Sequence, residues 1–131
     1  MATETATVAS LWSTTAFPLA DGGPPMHVHV DEPGQALTLS GQLDASTVPD
    51  VRLALHAAVD RGHGDLVVDI ADVELLDATG LGVLVGAHRR AGRHGRRLVL
   101  RSVPPRVDRL LFISRLYLVL HVDRSRPVSV A

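Results

Sequence analysis

Residues 65 to 95, DLVVDIADVELLDATGLGVLVGAHRRAGRHG, constrain the fold more than any other part of the chain. Leu66-Val67-Val68-Asp69-Ile70 is a short apolar, β-branched run, the pattern of a strand covered on both faces. After the turn residues Asp77-Ala78-Thr79-Gly80, apolar or ring side chains recur at Leu81, Leu84, Val85 and His88, which is helical spacing. That helix is predicted to open at Thr79 and to stop at Gly95, with Arg89, Arg90, Arg93 and His94 complementing the negative end of its dipole. A hydroxyl at a helix N-terminus is both a good cap and a good place for a phosphate. The spacing alone favours the cap for Thr79.

The rest of the chain arranges itself around this unit. Met26–Val30 alternates as a strand, Asp31-Glu32-Pro33-Gly34 is a turn, and Ala36–Leu43 alternates again with Leu37, Leu39 and Leu43 toward a core. So short a connection implies a hairpin. Ser46 or Thr47 can cap a helix in which Pro49 suits the first turn and Asp50 the dipole; it runs through Val51, Leu55, Ala58 and Val59 to Gly62. Beyond the central unit come a strand at Arg97–Ser102, a helix from Pro104-Pro105 with Val107, Leu110 and Leu111 inward, and a last strand at Tyr117–Val122. The expected order is β-β-α-β-α-β-α-β, an α/β domain with a mixed, mostly parallel sheet over residues 26–122. Residues 1–25 end in the breaker cluster Asp21-Gly22-Gly23-Pro24-Pro25 and read as a flexible arm, with an added edge strand near Val8–Trp12 or a docking peptide as alternatives. Residues 123–131 read as a tail.

Composition removes several classes of function. There is no cysteine, hence no disulfide framework, thiolate metal site or cysteine nucleophile. No apolar run is long enough to span a bilayer, and the opening MATETATVAS lacks the basic start and apolar core of a secretory leader, so a cytoplasmic protein is expected. The net charge of −1 conceals a division: residues 1–77 hold two arginines and twelve acids, residues 78–131 eleven arginines and two acids. A fold that interleaves the halves would neutralise both.

Motifs for common chemistries fail on spacing. Gly80-Leu81-Gly82 is not completed as a dinucleotide fingerprint, because the third glycine falls at Gly86, and without lysine there is no Walker loop. Gly82 and Gly86 clear one helix face, at a cost of about 1 kcal/mol each against alanine, which suggests close approach of the sheet or of a partner. His27 and His29 share a strand face but have no third ligand, and no metal or other cofactor is expected. The arginines from Arg89 to Arg101 lack the interleaved aromatics of a nucleic-acid surface. Asp69, Asp72, Glu74 and Asp77 gather near a strand end, where open α/β sheets place their sites, yet no nucleophile–base pair accompanies them, so no enzyme is expected.

Asp77-Ala78-Thr79-Gly80-Leu81-Gly82-Val83-Leu84 after a VVDI strand resembles the signature of STAS domains, specifically the bacterial anti-sigma factor antagonists, where the pattern is Asp-Ser-Ser/Thr-Gly-Leu-Gly. Gly41-Gln42-Leu43-Asp44 is similar to the family's Gly-x-Leu/Ile-Asp, and Leu98-Val99-Leu100 with Pro105 and Arg109-Leu110-Leu111 to its later strand and helix. The resemblance implies that Thr79 is phosphorylated by a serine/threonine kinase that is itself the anti-sigma factor. It implies further that the unmodified protein binds that factor by partner switching, and that a PP2C-type phosphatase resets it. It places Asp44, Asp77, Ala78, Thr79, Gly80, Leu81 and Gly82 at the partner surface, with no membrane or nucleic-acid role. Ala78 departs from the first hydroxyl of the pattern, and Thr79 stands where serine is commoner. A sensing or scaffolding member of the family is the other role these departures allow.

Overall fold

The computed structural model describes residues 26–123; the arm of residues 1–25, with its Val8–Trp12 alternative, and the tail beyond Asp123 lie outside the described residues. Five strands form one sheet in the order β1 (His27–Glu32), β2 (Ala36–Leu43), β3 (Asp65–Leu76), β4 (Arg97–Arg101) and β5 (His121–Asp123). β1 and β2 are an antiparallel hairpin, and the remaining neighbours run parallel. Helices α1 (Val48–Arg61), α2 (Ala78–Arg93) and α3 (Pro105–Ile113) connect the parallel strands, in the order the sequence predicts.

The sheet buries one face. Val28 and Val30, Leu37 and Leu39, Leu66, Val68 and Ile70, and Leu98 and Leu100 alternate into the core. They meet Val51, Leu55 and Val59 of α1 and Leu81, Leu84, Ala87 and Ala91 of α2. The opposite side chains Thr38, Val67, Asp69, Val99 and Arg101 are half-buried. β3 is therefore not covered on both faces, as its apolar run suggests. It is also longer than the run. β2 pairs with it as far as Leu43↔Leu76, and two register shifts absorb the extra β3 residues. Within α2 the core stripe falls on Leu81, Leu84, Ala87 and Ala91, while Val85 and His88 are half-buried.

The chain's end departs from expectation. Tyr117–Val122 is not a continuous strand. Arg115 turns left-handed at φ 64° after α3, a 3₁₀ turn occupies Leu116–Leu118, and only His121–Asp123 pairs with β4. The left-handed turn and the 3₁₀ turn take up the first half of the run, so pairing starts only at His121, opposite Val99, although β4 itself begins at Arg97.

Arg96 closes the opposite end of the domain. It is 7% exposed, and its guanidinium donates to five carbonyls: Gly34 (2.6 Å), Val59 (2.8 Å), Ala58 and Gly64 (both 2.9 Å) and His63 (3.4 Å). The Ala58 and Val59 carbonyls belong to the last turn of α1, where a cation meets the negative dipole end; the Ala58 carbonyl also accepts from the Gly62 amide at 3.4 Å. Neighbouring arginines pair with the acidic half of the chain. Arg90 takes Asp60 with two bonds (2.7 and 2.9 Å), Arg97 takes Asp65 (2.9 and 3.2 Å), and Arg101 meets Asp69 at 3.2 Å. Hydrogen bonds from Arg90 and Arg97 hold the Asp60 and Asp65 carboxyls below their usual range. The two oppositely charged halves thus interleave.

Candidate functional site

The site forms where β2 and β3 end side by side. Leu43 and Leu76 are register partners, so the residues that follow them, Asp44 and Asp77, emerge together. The Asp77 amide donates back to the Leu43 carbonyl at 3.5 Å and ties the two ends. Gly41, at φ 101°, lies just upstream in a conformation that side chains resist. Asp44 then holds its loop rigid: its Oδ1 accepts from the Ser46 amide (3.0 Å) and hydroxyl (2.6 Å). Thr47 does not cap α1 with its side chain. Fully buried, its hydroxyl donates to the Gln42 carbonyl at 2.9 Å and accepts from the Asp44 amide at 3.1 Å.

The N-cap of α2 is Asp77, not Thr79. Asp77 is extended (φ −107°, ψ −174°), and its Oδ1 accepts from the Gly80 amide at 2.9 Å. Its carbonyl accepts the first helical bond, from Leu81, also at 2.9 Å. That is the geometry a capping carboxylate requires, and its negative charge suits the helix N-terminus. β3 carries Leu76 to the edge of the turn, so the helix begins at Ala78 and Thr79 falls within its first turn. Thr79 and Ala78 are exposed, and the Thr79 hydroxyl has no hydrogen-bond partner among the described residues.

Gly80 is the crowded glycine. A Cβ there would stand 2.5 Å from the Leu43 carbonyl oxygen and under 3.0 Å from side-chain atoms of Leu43 and Leu76. Its bareness lets α2 start directly on the end of β2. The close approach expected at Gly82 and Gly86 is not made among the described residues, where a Cβ at either would meet nothing within 4 Å. Gly82 is exposed, Leu81 is buried, and Leu75 is 44% exposed just before the turn. Asp44 and Asp77 thus stand side by side at the strand ends, and the exposed Ala78 and Thr79 follow as a small platform at the start of α2, with Gly82 exposed in the same turn and Gly80 and Leu81 buried.

The other residues singled out from the sequence are dispersed. Asp69 is engaged by Arg101 and by the Ala71 amide (2.9 Å), whereas Asp72 and Glu74 are exposed on β3. His27 and His29 are exposed on β1, where His29 Nε2 lies 3.5 Å from Asp31 Oδ1. Among the described residues no three histidine or carboxylate side chains gather as a metal would need, and no helix is long and apolar enough to cross a membrane.

Comparison with known proteins agrees with this architecture. A family model described as Mlab, STAS domain matches residues 27–120. An anti-sigma-B factor antagonist of Staphylococcus epidermidis is 32% identical over 91 residues, 70% of this chain and 84% of the relative. A Staphylococcus aureus antagonist of the same name is 31% identical over the same span. An anti-sigma factor antagonist from Mycobacterium paratuberculosis superposes with a TM-score of 0.60 at 25% identity, covering 79% of this chain and 87% of that one. The antagonist SpoIIAA in its unphosphorylated form also gives 0.60, at 16% identity, over 76% and 89%. The matched segment spans nearly all of the sheet and its helices, and the chain belongs to the STAS domain family.

Proposed function

We propose that this protein is an anti-sigma factor antagonist whose platform around Thr79 docks a kinase-type anti-sigma factor and is switched off by phosphorylation of Thr79. One observation carries the reading above the others: Asp77 does the capping, so the exposed Thr79 hydroxyl has no structural task and is open to an enzyme. The relatives' names give the binding role, and SpoIIAA, which shares this fold at low identity, exists in both unphosphorylated and phosphorylated forms. A phosphate on Thr79 would add about −1.5 to −2 charges beside Asp77, where the exposed Ala78 and Thr79 side chains are small and uncharged. It would sit at a positive helix end with first-turn amides near, so the domain would stay folded while the docking surface changes. The partners are then a serine/threonine kinase acting as anti-sigma factor and a PP2C-type phosphatase, with the protein acting in the cytoplasm as a binding module and not as an enzyme.

The test is incubation with the cognate kinase and ATP, followed by mapping of the phosphate. Thr79 is the expected site, and Thr79→Ala abolishes incorporation. Modification elsewhere, or none at all, overturns the reading.

A further inference from the structure

Five of the seven large apolar side chains that stand exposed among the described residues fall in one short stretch: Phe112, Ile113, Tyr117, Leu118 and Val119. Phe112 and Leu118 are 69% and 70% exposed. The Phe112 and Tyr117 rings stack with centroids 5.7 Å apart and, with Pro105, Asp108 and Arg109, line a shallow cleft. A second cleft, lined by Leu75, Leu76, Pro105 and Arg106 among others, shares Pro105 with the first and leads back to the strand end where Asp77 begins. The stretch from Pro105 to Val119 carries Arg106, Arg109 and Arg115 against Asp108, and Glu74 lines the second cleft, so this face is apolar and, on balance, basic. A concentration of exposed apolar surface of this kind calls for a cover. A second copy is a poor one, because it would set each copy's arginines against the other's.

The geometry points to residues 1–25 of this chain as the cover, seating Trp12 and Phe17 on the Phe112–Leu118 face. The chemistry is complementary: this segment holds Leu11, Trp12, Phe17 and Leu19, the acids Glu4 and Asp21, and no basic residue. Its point of departure is favourable too. His27, the residue after Met26, pairs with Ser40 toward the C-terminal end of β2, and β2, β3 and β4 run parallel. Met26 therefore leaves the sheet at the same end as Leu76 and the start of α3. Crossing from β1 to β4 takes about 15 Å at roughly 4.8 Å per strand, and following α3 from Pro105 to Phe112 adds about 10 Å at roughly 1.5 Å per residue. The residues between Trp12 and Met26 can span up to about 40 Å. The inference itself stands on the patch and the arm, and holds whether or not Thr79 is modified.

Trp12 is the only tryptophan, so its fluorescence reports the arm alone. In the full-length protein its emission should be blue-shifted and its quenching by acrylamide several-fold weaker than in urea, at a monomer's sedimentation mass. Phe112→Ser combined with Leu118→Ser, both at exposed positions, should return emission and quenching to unfolded-like values with the circular dichroism unchanged. Arg109→Glu should shift both in the same direction at low salt. Solvent-like emission in the unaltered protein overturns the inference, as does protection that survives these variants. Protection that fades on dilution together with a dimer's mass assigns the face to a second copy and overturns it equally.

Discussion

Asp77 Oδ1 lies 2.9 Å from the amide nitrogen of Gly80, and this bond releases Thr79 from the work of starting α2. The two residues should therefore separate in stability measurements. Asp77→Ala removes the cap and should cost about 1 kcal/mol in urea unfolding. Thr79→Ala, at an exposed position without a bonded hydroxyl, should stay within about 0.5 kcal/mol of the parent. Equal losses would mean that threonine shares the capping.

Two glycines a half-turn apart should respond in opposite directions. Gly80→Ala drives a methyl group against the Leu43 carbonyl, and should destabilise by about 1–3 kcal/mol. Gly82→Ala points into open space and should stabilise by up to about 1 kcal/mol through helix propensity. On the proposed docking surface, Gly82→Leu should weaken partner binding while the unfolding midpoint holds or rises.

Arg96→Met should lower stability by at least about 2 kcal/mol, because it strands several buried carbonyls at once. Arg96→Lys should recover only part of the loss: a single ammonium cannot reach acceptors on β1–β2, α1 and the β3 approach together. Denaturant titration of the two variants beside the parent checks both statements.

How much of this was legible in advance varied with the reach of each interaction. Element order, the hairpin and the start of α1 follow from local period and turn residues, and these are as expected. For the cap of α2 the sequence favours Thr79, whereas the structure uses Asp77. The choice was made by β3 continuing to Leu76, which depends on its pairing with β2 and two register shifts. Which glycine touches the sheet depends on the rotation of α2, set by Leu81 and Leu84, and not on the Gly82–Gly86 spacing that stands out in the sequence. Arg96 is indistinguishable from Arg97 in the sequence, since its acceptors come from segments as far away as Gly34. Tyr117–Val122 alternates like a strand, but the left-handed Arg115 and the 3₁₀ turn at Leu116–Leu118 take its first residues out of extended conformation.

Stability should fall as pH drops below about 6.5, the ordinary histidine value. Burial, then the nearby His121 and Arg89, lower the pKa of His88; burial, then Arg90, lower that of His56. With folded values below the unfolded one, the unfolded chain takes up protons first. The contribution is thus whole above pH 6.5 and is lost as pH falls through the folded values. His88 Nδ1 is buried with no hydrogen-bond partner among the described residues, so His88→Leu should fold and flatten the dependence. Urea midpoints between pH 5 and 8 give the readout.

The most direct measurement is the affinity of the purified anti-sigma kinase for this protein, prepared fully phosphorylated on Thr79 and, separately, unmodified. Binding to the unmodified form and a loss of at least tenfold, about 1.4 kcal/mol, on phosphorylation is the expected result. Equal affinity for the two preparations would contradict the switch.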